Sequence, residues 1–216
     1  MLTTQSLSAS PSRPGIRRRP QRGNTIVEFA AVALFLTPLL LGTFTLGMNL
    51  NQSVRVTQVV RDAGHMYARF VDFTLPSNQD ILVRLAIGLR MTRDGGDGVI
   101  ILSKVTYLSD DDCTGAGVSL ADCANRGNYV ITNRVVVGNP SLRASDYGTP
   151  SNTSLDSSGN TYDIYRDTSV RATNFGSVLT LNSGQFAFVA EGLFRGAGIN
   201  LTSSGIGNDV YSRAIF

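Results

Sequence analysis

The sequence predicts an α+β protein: a long N-terminal transmembrane helix continuing into an exported domain with a short second helix and an antiparallel sheet of about four strands. Three observations predict it. Phe29 to Met48 is an unbroken run of 20 residues without a charge. Beyond it, apolar residues recur every three or four positions as far as Phe70, and after residue 98 they recur every second position. The period-2 segments are separated by stretches dense in Gly, Asn, Ser and Asp, the residue types that make turns.

Residues 1–23 form a basic leader, rich in Ser, Thr, Pro and Arg and too poor in apolar side chains to build a core. Arg13, Arg17, Arg18, Arg19 and Arg22 give it a charge of +5, while the other 193 residues carry 14 bases against 16 acids, or −2. The basicity therefore belongs to the tail. A nucleic-acid binder would need it on a folded face, so no nucleic-acid partner is expected.

Residues 24–49 form the predicted span. A helical run of 20 residues is about 30 Å long, the thickness of a bilayer core. Pro38, Gly42 and Gly47 are costly in a soluble helix but common in spanning ones. The run is too long for a secretory signal, and "TFTLGMNLNQS" offers no Ala-x-Ala site, so the segment stays attached as an anchor. Five arginines precede the span, whereas Arg55 and Arg61 after it are partly offset by Asp62. The positive-inside rule then keeps the N-terminus in the cytoplasm and exports the rest.

Residues 50–74 continue the helix outside the membrane. Val56, Val59, Ala63, Met66 and Phe70 share one face, with Arg55, Arg61, Asp62 and Arg69 between them, giving one helix over 25–71. Pro76 ends the connection. "PSNQDILVRLAIGLRM" then reads as a second helix, with Ser77 as N-cap and Asp80 completing a capping box. Residues 75–216 form the exported domain. "GVIILSKVTYL", "NYVITNRVVVG", "QFAFVAEGLF" and "VYSRAIF" read as four strands, and the joins between them favour an antiparallel meander. Residues 139–172 read as a long loop excursion with room for short strands.

Cys113 and Cys123 lie in a loop-like stretch with nine residues between them. After export they would form a disulfide, worth about 2.7 kcal/mol in the chain-entropy model. A zinc site is the rival reading, but no second cysteine pair exists and the single histidine, His65, is remote. Asp110, Asp111 and Asp112, or Asp156, Asn160 and Asp163, could approach Ca²⁺. Neither set has the twelve-residue loop with its terminal glutamate, so they read as solvated loop acids. "DGGDG" is a turn without the lysine of a phosphate loop, and no nucleophile-elbow sequence occurs. No catalytic residue, cofactor or metal is expected, and the chain does not read as an enzyme.

One residue resists this scheme. Glu28 stands at the head of the span, where a carboxylate costs up to about 2.5–3.5 kcal/mol at the centre and less near the ends. It could sit among lipid headgroups, belong to an ion path, or await a positive partner from another chain. An ion path would need further ionisable groups, and none follows before Arg55.

"RGNTIVEFA" resembles the processing site of type IV prepilins: a basic leader, a glycine at the cut, a glutamate fifth after it, then an aromatic. Here these are Gly23, Glu28 and Phe29; the Flp-type variant favours tyrosine where Phe29 stands. The wider stretch "RGNTIVEFAAVALFLTPLLLGTFTLGMNLNQSVRVTQVVRDAGHMYA" resembles the N-terminal region of TadE-like proteins, the pseudopilins of Tad-type pilus machines. The resemblance implies a pilin-like fold, cleavage between Gly23 and Asn24 by a prepilin peptidase, and assembly through Glu28 and Phe29. It also implies residence in the bacterial inner membrane, and other pilin or pseudopilin subunits and the pilus assembly platform as partners. Adhesion and biofilm formation would follow. The new amine of Asn24, with an unperturbed pKa of about 7.7–8.0, would be mostly cationic and available to a neighbour's Glu28. The alternative from another class is a membrane-anchored exported binding module that joins no fibre.

Overall fold

The computed structural model describes residues 24–196 and 209–216; the arginines of the leader and Gly23 lie outside them. The chain divides into two units, one ending at Thr43 and one spanning Phe44–Phe216. Helix α1, Asn24–Ala68, is 45 residues long and contains Pro38. It stops just short of the expected 71. The amide of Phe70 bonds the carbonyl of Tyr67 at 2.9 Å and that of Val71 bonds Met66 at 3.1 Å. That pairing is a Schellman stop. Phe70 occupies its left-handed position, φ 62°, where glycine would be the unstrained choice.

Helix α2, Pro76–Leu85, corrects the expected cap. Leu75 is its N-cap, no side chain closes it, and Pro76 opens the helix rather than ending the connection. Proline suits that position because the missing amide would have no helical partner there. The neighbouring side chains instead hold the preceding turn: Asn78 donates to the Asp72 carbonyl at 2.7 Å and Gln79 to that of Phe73 at 2.9 Å. Asp80 pairs with Arg93 at 3.2 Å. A two-residue ribbon, Met91–Thr92 with Gly95–Gly96, carries the "DGGDG" turn.

The sheet comprises β1 (Gly98–Tyr107), β2 (Tyr129–Gly138), β3 (Phe186–Phe194) and β4 (Val210–Ile215). Every pairing is antiparallel, but the order is β2-β1-β3-β4, not a meander. The reason lies in β1. Val99 to Ser103 are buried on both faces, so the strand needs a neighbour on each side and a layer above and below.

The lower layer is helical. Val56, Val59, Val60, Ala63 and Tyr67 of α1, with Leu82 and Ala86, cover Ile100, Leu102, Val137, Ala190 and Phe194 of the sheet. Helix and sheet approach closely at Gly192, where a Cβ would come within 2.4 Å of Val60. The upper layer is the excursion between β2 and β3. Tyr147, Ala172, Phe175 and Leu181 pack on Val105, Ile131, Ala187 and Val189. It forms single bridges and three 3₁₀ turns, not the short strands for which the sequence left room.

The cysteine stretch also differs from a loop. Asp110–Gly115 forms helix α3, capped by Ser109 and closed by Asp112 in a reciprocal capping box. Asp112 is thus a cap rather than a solvated acid, and the hydroxyl of Ser109 holds its carboxyl below the ordinary range. The Sγ atoms of Cys113 and Cys123 lie at disulfide distance, 2.09 Å, with Cα atoms 6.2 Å apart, and both residues are buried. Protein recovered from the cell envelope should resist alkylation at both cysteines and take two labels after reduction. Labelling of either thiol before reduction would show that the pair is open in the cell.

Candidate functional site

The first half of α1 is the candidate site, and its defining property is what it leaves uncovered. The most apolar stretch has a mean hydropathy of 2.0 and is 0% buried. Ile26, Phe29 and Phe35 are each about three-quarters exposed, and Leu34, Leu36, Leu39 and Leu40 exceed one-half. No residue of α1 before Val56 is buried among those whose side chains are described. Each such side chain forgoes about 1.5–3 kcal/mol of burial if left in water. A helix of this length and composition can cross a membrane, or pack on other apolar helices, and either environment satisfies it.

The sequence-predicted residues sit at the head of this surface. Gly23 lies outside the described residues. Asn24 is the first residue of α1. Glu28 and Phe29 follow one turn later, both exposed. Four residues of helix separate Glu28 from Asn24, an axial rise of about 6 Å. The arrangement places one carboxylate at the entrance of an apolar helix surface.

Two further constellations lie in the unit Phe44–Phe216, and sequence reasoning missed both. The first is a groove of about 270 Å³ at the end of α1, lined by Tyr67, Phe70, Lys104, Asn133, Asn160 and Phe188 among others. The Tyr67 hydroxyl donates to Asn133 Oδ1 at 2.6 Å, and Asn133 Nδ2 donates to Asn160 Oδ1 at 2.8 Å. Burial pushes the Tyr67 phenol up. Lys104 Nζ sits 4.3 Å from the ring centre of Phe186 and within about 6 Å of Phe188 and Phe70, a cation held over aromatic faces. Its parts come from segments too distant in sequence to read together.

The second is buried. Glu191, 1% exposed, projects from β3 towards the excursion. It accepts from the Ser145 hydroxyl, from the amide of Asp146 at 2.9 Å and from the Tyr211 hydroxyl at 3.1 Å. Arg134 is 6% exposed and donates to the carbonyl of Gly148 at 2.9 Å. Burial lowers its pKa to about 10, against the opposing pull of the Glu191 charge. The signal was present in "QFAFVAEGLF": an acid in mid-strand with apolar neighbours on both sides.

The remaining sequence candidates are accounted for locally. His65 is exposed, its ring centre 4.3 Å from that of Phe216 with the planes tilted by 49°. Asp156 accepts from the amides of Ser158 and Asn160, each at 2.8 Å, and so closes its own turn. Among the described residues no group of three His, Cys, Asp or Glu side chains is placed to hold a metal ion.

Residues 23–65 match the family model of TadE-like proteins. The match opens at Gly23, takes in Glu28, Phe29 and the whole uncharged run, and ends at His65 within α1. It covers about a fifth of the chain, takes in the α1 residues Val56 to Ala63 that cover one face of the sheet, and leaves the sheet, α2 and the excursion outside. Searches of curated proteins and of solved structures return no match.

Proposed function

We propose that this chain is a minor pseudopilin of a Tad-type pilus, acting in pilus assembly or initiation and hence in surface adhesion and biofilm growth. One observation carries the reading: the segment that matches the TadE-like family takes in the whole helix half that the folded chain leaves uncovered. An anchor that also packs beside like helices requires such a surface. The charge order Arg-rich, Gly23, Glu28, then no charge to Met48 supports the finer parts of the proposal. The leader stays in the cytoplasm, the span crosses the bacterial inner membrane once, and a prepilin peptidase cuts between Gly23 and Asn24. The exported domain then reaches the periplasm or the fibre. The role rests on helix packing and needs no catalytic centre.

The test is the mass of the membrane-extracted chain in cells that hold the cognate peptidase. It should correspond to a chain beginning at Asn24. Gly23→Leu should leave the full 216 residues, since a branched side chain would obstruct the peptidase where glycine lets the backbone approach. A wild-type chain that keeps its leader would defeat the pseudopilin reading and favour an anchored binding module.

A further inference from the structure

We propose that the exported unit rests on the bilayer through a foot formed by the turn after α2, with Ile87 in the headgroup layer of the outer leaflet and Arg55 and Arg195 on lipid phosphates. The inference rests on the membrane-anchor reading and adds a second contact to it. Its geometry lies wholly within the unit Phe44–Phe216.

After Met48 the apolar run gives way to Asn49, Asn51 and Gln52, so the helix leaves hydrocarbon there. Met48, Asn51, Gln52 and Arg55 line a groove of about 260 Å³ with Gly88 and Leu89. Gln52 Nε2 donates to the backbone carbonyl of Arg195 at 2.9 Å. The turn and the end of β3 therefore stand level with the first helical turns beyond the span.

Ile87 in that turn is 77% exposed, and Leu85 beside it is 41% exposed. A single exposed isoleucine is ordinary on a protein surface. This one differs because the membrane exit fixes its height. It also has the Arg55 cation beside it, lining the same groove. Arg55 Nη1 comes within 3.7 Å of where a side chain on Gly88 would begin, and its Nε donates to Asn51 at 3.1 Å. Neither Arg55 nor Arg195 belongs to an ion pair among the described residues, whereas nearby Arg90 is tied to Asp97 at 2.9 Å. Asp62 lines the adjoining groove with Arg55 and Ile87 but makes no salt bridge with Arg55. A guanidinium beside an exposed apolar side chain suits a phospholipid surface, where phosphates lie just above acyl chains. Anionic lipids strengthen the attraction.

The chain has no tryptophan, so Ile87→Trp introduces a single indole. The full-length variant is reconstituted in nanodiscs of anionic phospholipid, beside Tyr162→Trp, at an exposed residue of the excursion, and Phe35→Trp within the span. The Ile87→Trp emission should lie to the blue of Tyr162→Trp and lose most of its intensity to lipids brominated near the glycerol. Adding Arg55→Gln and Arg195→Gln should reverse the shift and the quenching. If Ile87→Trp emits like Tyr162→Trp while Phe35→Trp is quenched by deep bromines, the foot is wrong and the anchor stands. A blue shift without quenching would mean a protein contact and would also overturn the foot. If Phe35→Trp itself escapes quenching, the anchor reading fails and the foot with it.

Discussion

Glu28→Ala is expected to yield a protein that inserts and is cleaved but does not assemble. The substitution removes a charge from the head of the span, so insertion is unharmed or easier. The proposed peptidase site at Gly23 is untouched, so cleavage should continue. Assembly differs because it brings apolar helices together and excludes water. The amine freed on Asn24 is then a cation in an apolar bundle, with the carboxylate of an axially shifted neighbour as its counter-charge. Removing that partner costs about 3–5 kcal/mol where burial is complete, and less where headgroups reach the pair. Per contact that weakens assembly by a factor of hundreds or more. Glu28→Gln should fail similarly, since the amide keeps the shape and loses the charge. The readouts are intact mass for cleavage, membrane fractionation for insertion, and crosslinking to other pilins with pilus counts for assembly. Normal pilus numbers from either variant would reduce Glu28 to a residue of the membrane interface.

The proposed site is legible in the sequence because its information is linear. Leader, glycine, glutamate, aromatic and apolar run follow one another within a few turns of a single helix, and composition alone sets the length of the span. The strands were legible for a related reason, since a period of two survives in any context. Their order was not. Val99 to Leu102 are apolar on both faces, which says that β1 is enclosed but not by which strands. The excursion misled by its polarity: four of its sparse apolar residues, Tyr147, Val170, Ala172 and Phe175, are buried, and they suffice to hold a layer on the sheet. The end of α1 was misplaced because the Schellman stop uses Phe70, where the expected signal is glycine. The Lys104 groove needs residues 67–73, 104, 133–135, 158–160 and 188 together, a convergence that only the register of β1 with β2 and β3 creates.

Glu191→Ala should be the most damaging single change in the unit Phe44–Phe216, a loss of about 3–5 kcal/mol. Three donors converge on this carboxylate, from Ser145, Asp146 and Tyr211, and two of them belong to the excursion. Its removal leaves a cavity and loosens the tie between the upper layer and β3. Arg134 makes the loss larger. Its pKa, though lowered to about 10 by burial, still keeps it cationic at neutral pH. It is not within salt-bridge distance of Glu191, yet the carboxylate is the charge that favours its ionised form. Without Glu191 the buried cation stands uncompensated. Glu191→Gln keeps an acceptor for part of the cluster and should cost less, while Arg134→Met added to Glu191→Ala should recover part of the loss because the orphaned charge goes too. Urea unfolding of the full chain in detergent, followed by the near-ultraviolet signal of its tyrosines, measures all three and Arg134→Met alone. Tyr147 and Tyr211 report the affected layer directly. If Glu191→Ala shifts the transition by less than about 1 kcal/mol, the value of an ordinary exposed pair, the carboxylate does not hold the excursion on the sheet. If the double variant is as unstable as the sum of the single losses, the two charges are uncoupled and hydrogen bonding alone accounts for the role of Glu191.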